Sequence, residues 1–103
     1  MPRPLSLAAV AVLQAIADGA RYGFDIMDVT DLASGTVYPI LSRLEQQDLV
    51  SARWEAARTA QREKRPPRRY YDVTNAGLKV LAESIEHYRT VGGLFPSTRR
   101  VQG

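Results

Sequence analysis

Residues 34–50, SGTVYPILSRLEQQDLV, constrain the fold more than any other part of the chain. The apolar residues of this segment recur at spacings of three and four, which predicts a helix with one apolar stripe. They are Val37, Ile40, Leu41 and Leu44. Ser34 is expected to cap the helix, and Pro39, near the end of its first turn, to make that turn irregular. Residues 49–55 then alternate in polarity, which predicts a strand.

A cluster of positive charge follows, REKRPPRR at residues 62–69. Residues 53–70 carry seven basic and two acidic side chains, a net charge of +5, so the rest of the net +3 chain sums to −2. Residues 56–67 show no periodicity and are interpreted as the tip of a hairpin, with residues 68–73 as the returning strand. Such a concentration favours contact with a polyanion, the alternative being a solvated basic loop.

The remaining segments predict helices at residues 5–17, 22–30 and 75–91. Ser6 and Thr74 are the expected N-caps, and Gly19 is expected to end the first helix in a left-handed conformation. The order helix, helix, helix, strand, wing, strand, helix predicts a mainly α winged helix-turn-helix with a small β-wing and a C-terminal dimerisation helix. We expect one domain over residues 1–91, with the dimerisation helix at 75–91, and a flexible tail at 92–103.

Composition argues against several classes of protein. The chain has no cysteine, which excludes disulfides and thiolate–metal sites and favours a cytoplasmic protein. No apolar run is long enough to span a bilayer. No nucleophile lies beside a base, no glycine-rich phosphate loop is present, and the single histidine, His87, has no partner at metal spacing. We therefore expect neither an enzyme nor a cofactor or metal site.

Double-stranded DNA is the predicted partner, bound by two groups of residues. The polar face of the third helix would reach phosphates and base edges, and the wing would follow the backbone. From the helix we predict contacts by Ser34, Gly35, Thr36, Tyr38, Pro39, Ser42 and Arg43. From the wing we predict Arg62, Lys64, Arg65, Arg68 and Tyr70. Strand alternation places Arg68 and Arg69 on opposite faces, so at most one of them should face DNA well.

The last helix has an apolar stripe at the spacing of a coiled-coil seam. A homodimer interface is predicted from this stripe and the apolar first helix. Its residues are Leu7, Val10, Leu78, Leu81, Ile85 and Tyr88. Packing on the chain's own core would produce the same pattern.

Aromatic side chains accompany the wing strands at Trp54, Tyr70 and Tyr71. Packing of the wing is the favoured interpretation, and a ligand-binding box is the alternative.

Four segments together resemble the PadR family of transcriptional regulators. They are YGFDI at residues 22–26, SGTVYPILSRLE at 34–45, LV at 49–50 and RRYYDVTNAG at 68–77. The resemblance covers roughly residues 5–90. It implies a dimeric bacterial winged-helix repressor of the compact form, which binds a pseudo-palindromic operator and in many members responds to a phenolic or drug-like ligand. This chain departs from the pattern at Asp48, where glycine is usual, and in its short last helix, which leaves less room for a ligand.

Two hypotheses follow from the sequence. The first is a homodimeric repressor that a small-molecule effector releases from DNA. In this hypothesis Arg65→Ala should weaken binding to all sequences and make the salt dependence shallower by about one unit. The second is a winged-helix module that binds protein through its apolar helices.

Overall fold

The computed structural model describes residues 4–92, and the expected tail at 93–103 lies outside them. Helix α1 spans Leu7–Ala17, two residues later than its expected start. The Ser6 hydroxyl accepts a hydrogen bond from the backbone N–H of Ala9 at 3.1 Å, as predicted for an N-cap. Gly19 has φ +116° and follows the last turn, which confirms its role in ending the helix.

Helices α2, Gly23–Thr30, and α3, Ser34–Gln46, form the helix-turn-helix pair. The predicted capping role of Ser34 is wrong. Ser34 is already helical, and Ala33 is the N-cap, whose carbonyl accepts hydrogen bonds from Thr36 and Val37. The predicted irregular first turn is not seen, because Pro39 lies further inside a continuous helix. The proline ring crowds the carbonyl of Gly35, one turn earlier, where no side chain adds to the crowding.

The predicted stripe of α3 forms the centre of the core. Val37, Leu41 and Leu44 are buried against α1 and α2, while Ile40 is partly buried at its edge. Burial of this one face fixes which side of α3 remains available to a partner.

A left-handed residue joins α3 to the first strand. Asp48 has φ +58°, as expected where glycine is usual. The N–H groups of Asp48 and Leu49 donate to the carbonyls of Glu45 and Leu44, which closes the end of α3 in a Schellman arrangement. The direction in which the wing leaves α3 is therefore set by one tight turn.

The wing comprises residues 50–73 and is built on two antiparallel strands, β1 at Val50–Trp54 and β2 at Arg69–Val73. Each strand is slightly shorter than expected. Tyr22 forms an isolated bridge to Tyr70, so the segment before α2 extends the sheet by one residue pair.

The structure corrects the prediction that residues 56–67 form an irregular tip. They contain helix α4, Ala57–Arg62, whose Ala60 is almost fully buried. Lys64 takes a left-handed conformation with φ +56°, and the N–H of Arg65 returns to the carbonyl of Ala60. The sequence hides this helix, because one alanine is its only buried residue and no glycine marks its end.

Helix α5 spans Asn75–Gly92 and packs along α1. The Thr74 hydroxyl accepts a hydrogen bond from the N–H of Gly77, which confirms the predicted cap. Further along, the buried Ser84 hydroxyl accepts from the N–H of Leu5, and the Tyr88 hydroxyl donates to the Leu5 carbonyl at 2.6 Å. These bonds fix the start of the described chain against α5.

The architecture is the predicted one, mainly helical with a two-stranded antiparallel wing. Within residues 4–92 no helix is long and apolar enough to cross a membrane.

Candidate nucleic-acid interface

The face of α3 opposite its buried stripe is open to solvent. All seven residues predicted to contact DNA from this helix are exposed, namely Ser34, Gly35, Thr36, Tyr38, Pro39, Ser42 and Arg43. A side chain added at Gly35 would meet no atom within 4 Å, so a ligand could approach the backbone closely there. The structure thus brings the predicted helix residues onto one accessible surface, with Arg43 at its edge.

Tyr38 covers the start of α2. A Cβ atom at Gly23 would collide with the ring and hydroxyl of Tyr38, so the tyrosine packs directly on the backbone where these helices meet. The Tyr38 side chain remains about half exposed. Its hydroxyl is the atom nearest to the Gly23 position, so the tip of the side chain rests against the start of α2.

An ion pair closes the wing. Arg65 donates from Nη1 and Nη2 to the two carboxylate oxygens of Glu55, at 2.6 and 2.9 Å. The same carboxylate accepts from the N–H of Arg68 and the hydroxyl of Tyr70, both at 3.2 Å. The Glu55 side chain is only 6% exposed. Sequence reasoning missed Glu55, because its partner Arg65 is ten residues away and is brought close only by α4.

These hydrogen bonds explain the acidity of Glu55. Donation from Arg65 is the largest cause, and it lowers the pKa of Glu55 from 4.5 to about 2, although burial acts in the opposite direction. The same pair raises the pKa of Arg65. Arg65, predicted as a DNA contact, thus has its guanidinium occupied within the wing.

Other wing cations have no such partner. Within residues 4–92 no carboxylate pairs with Arg58, Arg62, Lys64 or Arg68. The first three are exposed on or just after α4, and Arg68 is partly buried. Arg58 was missed by sequence reasoning, because only the helical form of the tip places it one turn before Arg62. These four cations carry positive charge that no ion pair neutralises, and Glu63 is the acidic residue among them.

Arg68 and Arg69 do point to opposite faces. Arg68 lies 4.1 Å above the ring of Tyr22, and Tyr22 meets Tyr70 edge to face with centroids 5.8 Å apart. Arg53 completes this row, 5.2 Å from the Tyr70 centroid. Cation–π contacts thus hold Arg53 and Arg68 on the outer face of the sheet.

Arg69 faces α3 instead. Its Nη2 donates to Oε2 of Glu45 at 2.9 Å, and its guanidinium lies 5.2 Å from the Trp54 ring centroid. Burial raises the pKa of the nearby Tyr71, and the charge of Arg69 opposes that shift. Trp54 itself is 64% exposed, so it braces Arg69 without being part of the core.

An open cleft of about 570 Å³ separates α2 and α3 from the wing. Tyr38 lines it from α3, Tyr22 and Phe24 from the start of α2, and Trp54 and Arg68 from the wing. Among the residues predicted to contact DNA, Tyr38 of α3 and Arg65 and Arg68 of the wing therefore border the same cleft. Arg43, at the edge of the exposed face of α3, lines a second cavity of about 530 Å³ beside Leu5 and Ile40.

The residues predicted for a dimer interface fall into two sets. Leu7 and Leu78 are 65% and 49% exposed, as an unpaired interface requires. Leu81 is buried in the chain's own core, and Val10 and Ile85 pack against it. Tyr88 is engaged with Leu5. Packing on the chain's own core therefore accounts for Val10, Leu81, Ile85 and Tyr88, and the dimer interface stays a prediction for Leu7 and Leu78.

His87 packs edge to face on Tyr88, with centroids 5.0 Å apart. Among the described residues no three side chains of His, Cys, Asp or Glu converge as metal ligands would. The candidate interface thus consists of cations, hydroxyls and aromatic rings.

Comparison with known proteins agrees with this geometry. Residues 12–83 match the model of the transcriptional regulator PadR-like family. The fold is similar to a PadR-like transcription factor from Bacteroides fragilis, with 25% identity, 84% of each chain covered and a TM-score of 0.70. It is also similar to a PadR family transcription regulator from Clostridium difficile, with 19% identity, 95% of this chain and all of that chain covered, and a TM-score of 0.74.

A third similar structure is BpsR of Bordetella bronchiseptica, whose DNA binding is regulated by 6-hydroxynicotinic acid. Its identity is 18%, with 99% of this chain and 76% of that chain covered and a TM-score of 0.69. No curated protein matches the chain.

Proposed function

Because the chain belongs to the PadR-like family of transcriptional regulators, a non-enzymatic DNA-binding family, we propose that it recognises a specific DNA sequence through α3 and the wing. The observation that carries this proposal is the common cleft bordered by Tyr38 of α3 and Arg68 of the wing. An exposed helix face and a wing with cations that lack ion-pair partners, with Tyr38 and Arg68 lining one cleft between them, suit a ligand that is wide, continuous and anionic.

Each group of residues has a separate role in the proposal. Gly35, Pro39 and Ser42 face the major groove, where Gly35 permits close approach. Ser34, Thr36 and Tyr38 donate hydroxyls to phosphates beside the helix start. Arg43, at the edge of α3, reaches a phosphate or guanine edge. In the wing, the DNA backbone is contacted by Arg58, Arg62, Lys64 and Arg68. Tyr70 supports Arg53, and Arg65 keeps α4 in place.

We further propose that two chains act together as a homodimer in the bacterial cytoplasm. The exposed Leu7 and Leu78 support this, because they leave apolar surface on α1 and α5 uncovered. Two α3 helices about 34 Å apart would enter successive major grooves of a pseudo-palindromic operator. Occupation of a promoter would then exclude polymerase, which makes the protein a repressor.

A small-molecule effector is the last part of the proposal. The cleft between α3 and the wing has the volume of an ordinary ligand site, and DNA binding by the similar BpsR is regulated by 6-hydroxynicotinic acid. A ligand seated there would favour a different angle between the two DNA-contacting elements and so release the operator. Quenching of Trp54, the only tryptophan, would report such binding directly.

Fluorescence anisotropy tests the DNA-binding proposal. The probe is a labelled duplex enriched from a randomised pool by the wild-type protein, titrated at two salt concentrations with and without excess nonspecific competitor. We expect affinity that falls with salt and survives the competitor. Placing the enriched duplex across the promoter of a reporter then distinguishes repression from activation.

Arg89→Ala is the matched control, because Arg89 is an exposed arginine on α5 whose one carboxylate partner among residues 4–92 is Glu86. It should bind like wild type, whereas Arg62→Ala should bind more weakly. If excess nonspecific competitor abolished all binding, the protein would have only nonspecific affinity for DNA. Failure to enrich or shift any duplex would overturn the proposal in favour of a module that binds protein.

A further inference from the structure

The ion pair between Glu45 and Arg69 joins the recognition helix to the wing. Glu45 lies in the last turn of α3, Arg69 begins β2, and their side chains meet at 2.9 Å while still partly exposed. We propose that Glu45 and Arg69 are positioning residues, which set the angle between α3 and the wing and thereby the preference for specific over nonspecific DNA. This inference rests on the DNA-binding function proposed above.

The location of Glu45 is electrostatically unfavourable in two respects. A carboxylate in the last turn of a helix faces the negative end of the helix dipole. It also adds negative charge to an element proposed to approach a polyanion. If residue 45 served only as a polar surface residue, a neutral glutamine would avoid both of these unfavourable interactions. The contact with Arg69 is the structural feature that offsets them.

Arg69 is held more firmly than a surface arginine. Trp54 occupies the paired position on β1, and its ring lies beside the Arg69 guanidinium. Tyr71, buried two residues further along β2, is close enough for its pKa to respond to the Arg69 charge. Residues of α3, β1 and β2 therefore all lie beside the Arg69 guanidinium. Such a contact can fix the angle between α3 and the wing.

Arg68 provides the natural contrast. It is adjacent in sequence and of the same type, yet it points to the other face of the sheet, onto Tyr22, with no carboxylate partner among residues 4–92. Arg68 is free to contact phosphate, whereas Arg69 is committed to α3. The inference thus assigns different roles to two neighbouring arginines.

Glu45→Gln is a sharp test, because two explanations predict opposite changes in the affinity for the enriched duplex. If Glu45 only repels DNA, its neutralisation tightens binding to every duplex. If it positions the wing, affinity for the enriched duplex falls about tenfold, within the usual range of coupling between contacting residues, while affinity for a random duplex is unchanged or rises. The measurement is anisotropy with both duplexes at two salt concentrations.

The arginines and a reversed pair complete the experiment. Arg69→Gln should lower affinity for the enriched duplex with little change in salt dependence, whereas Arg68→Gln should weaken both duplexes and make the salt dependence shallower by about 0.9. Combining Glu45→Gln with Arg69→Gln should cost no more than either alone, and Glu45→Arg with Arg69→Glu should recover part of the preference.

Tryptophan fluorescence checks the fold without DNA. Loss of the Glu45–Arg69 pair should make Trp54 more accessible to iodide or acrylamide while the cooperative melt is retained. Tighter binding of the enriched duplex by Glu45→Gln, or additive losses in the double variant, would overturn the inference. A wild-type protein that enriches no duplex would instead overturn the DNA-binding function itself.

Discussion

Glu55 and Arg65 meet in a two-pronged ion pair across α4, with oxygen–nitrogen distances of 2.6 and 2.9 Å. The pair ties the end of β1 to the segment that returns to β2. Because Glu55 also accepts from the N–H of Arg68 and the hydroxyl of Tyr70, one carboxylate determines the shape of the wing. From the sequence, Arg65 is one of several cations in a basic loop. Because it is paired with Glu55, its substitution is expected to alter the shape of the wing and not a phosphate contact.

We predict that Arg62→Ala and Arg65→Ala weaken DNA binding by different routes. Arg62 is exposed and unpaired among the described residues, so its loss should make the slope of log Kobs against log[salt] shallower by about 0.9. Arg65→Ala should leave the slope close to wild type and increase cleavage of the wing by trypsin in limited proteolysis. Equal slope changes in the two variants would show that Arg65 contacts phosphate, as the sequence alone suggests.

Stability should depend on pH through Glu55. Its pKa is about 2 in the folded protein, below the ordinary value of 4.5, so the unfolded chain takes up this proton first. The stabilisation is complete above about pH 5 and is lost as the pH falls from about 4.5 to 2. Thermal melts of wild type and Glu55→Gln should therefore converge in acid. Glu83→Gln, an exposed change on α5, is the control and should keep the wild-type pH profile.

Two glycines should respond in opposite ways to alanine. Gly35 is helical with open space around it, so Gly35→Ala should stabilise the fold by about 0.5–1 kcal/mol, since glycine is the poorer helix former. The same methyl group would lie on the face proposed to approach DNA and should weaken binding. A variant that is more stable and binds DNA like wild type would remove Gly35 from the interface.

At Gly77 a Cβ atom would meet the backbone carbonyl of Leu49 and the side chain of Val73. A carbonyl held in the turn after α3 cannot move aside easily, so Gly77→Ala should destabilise the protein by about 1–3 kcal/mol. Urea unfolding of both alanine variants measures the two effects. A neutral Gly77→Ala would mean that the turn and α5 can separate at little cost.

Leu78 and Leu81, one turn apart on α5, should separate dimer assembly from folding. Leu78 is half exposed, so Leu78→Asp should keep a cooperative melt, lowered only by the lost contribution of assembly, and shift the protein towards monomer in sedimentation experiments. Leu81 is 5% exposed within the core, so Leu81→Ala should cost about 2–5 kcal/mol of stability. A dimer that persists in Leu78→Asp would place the interface away from this part of α5.

Local patterns were sufficient for most of the fold. The caps at Ser6 and Thr74, the left-handed Gly19 and the apolar stripe of α3 each depend on residues within about one or two helical turns, and each was confirmed. The short helix α4 was not predicted, because its single buried residue, Ala60, becomes buried only when the wing closes over it.

The sequence by itself determined the order of elements other than α4, the apolar face of α3, the concentration of charge in the wing and the opposite orientations of Arg68 and Arg69. These follow from helical and strand periodicity and from composition. Only the tertiary structure decided which cations remain without a partner. Glu55 reaches Arg65 across ten residues and Glu45 reaches Arg69 across twenty-four. Such pairs form because packing brings distant segments together, and no local periodicity encodes them.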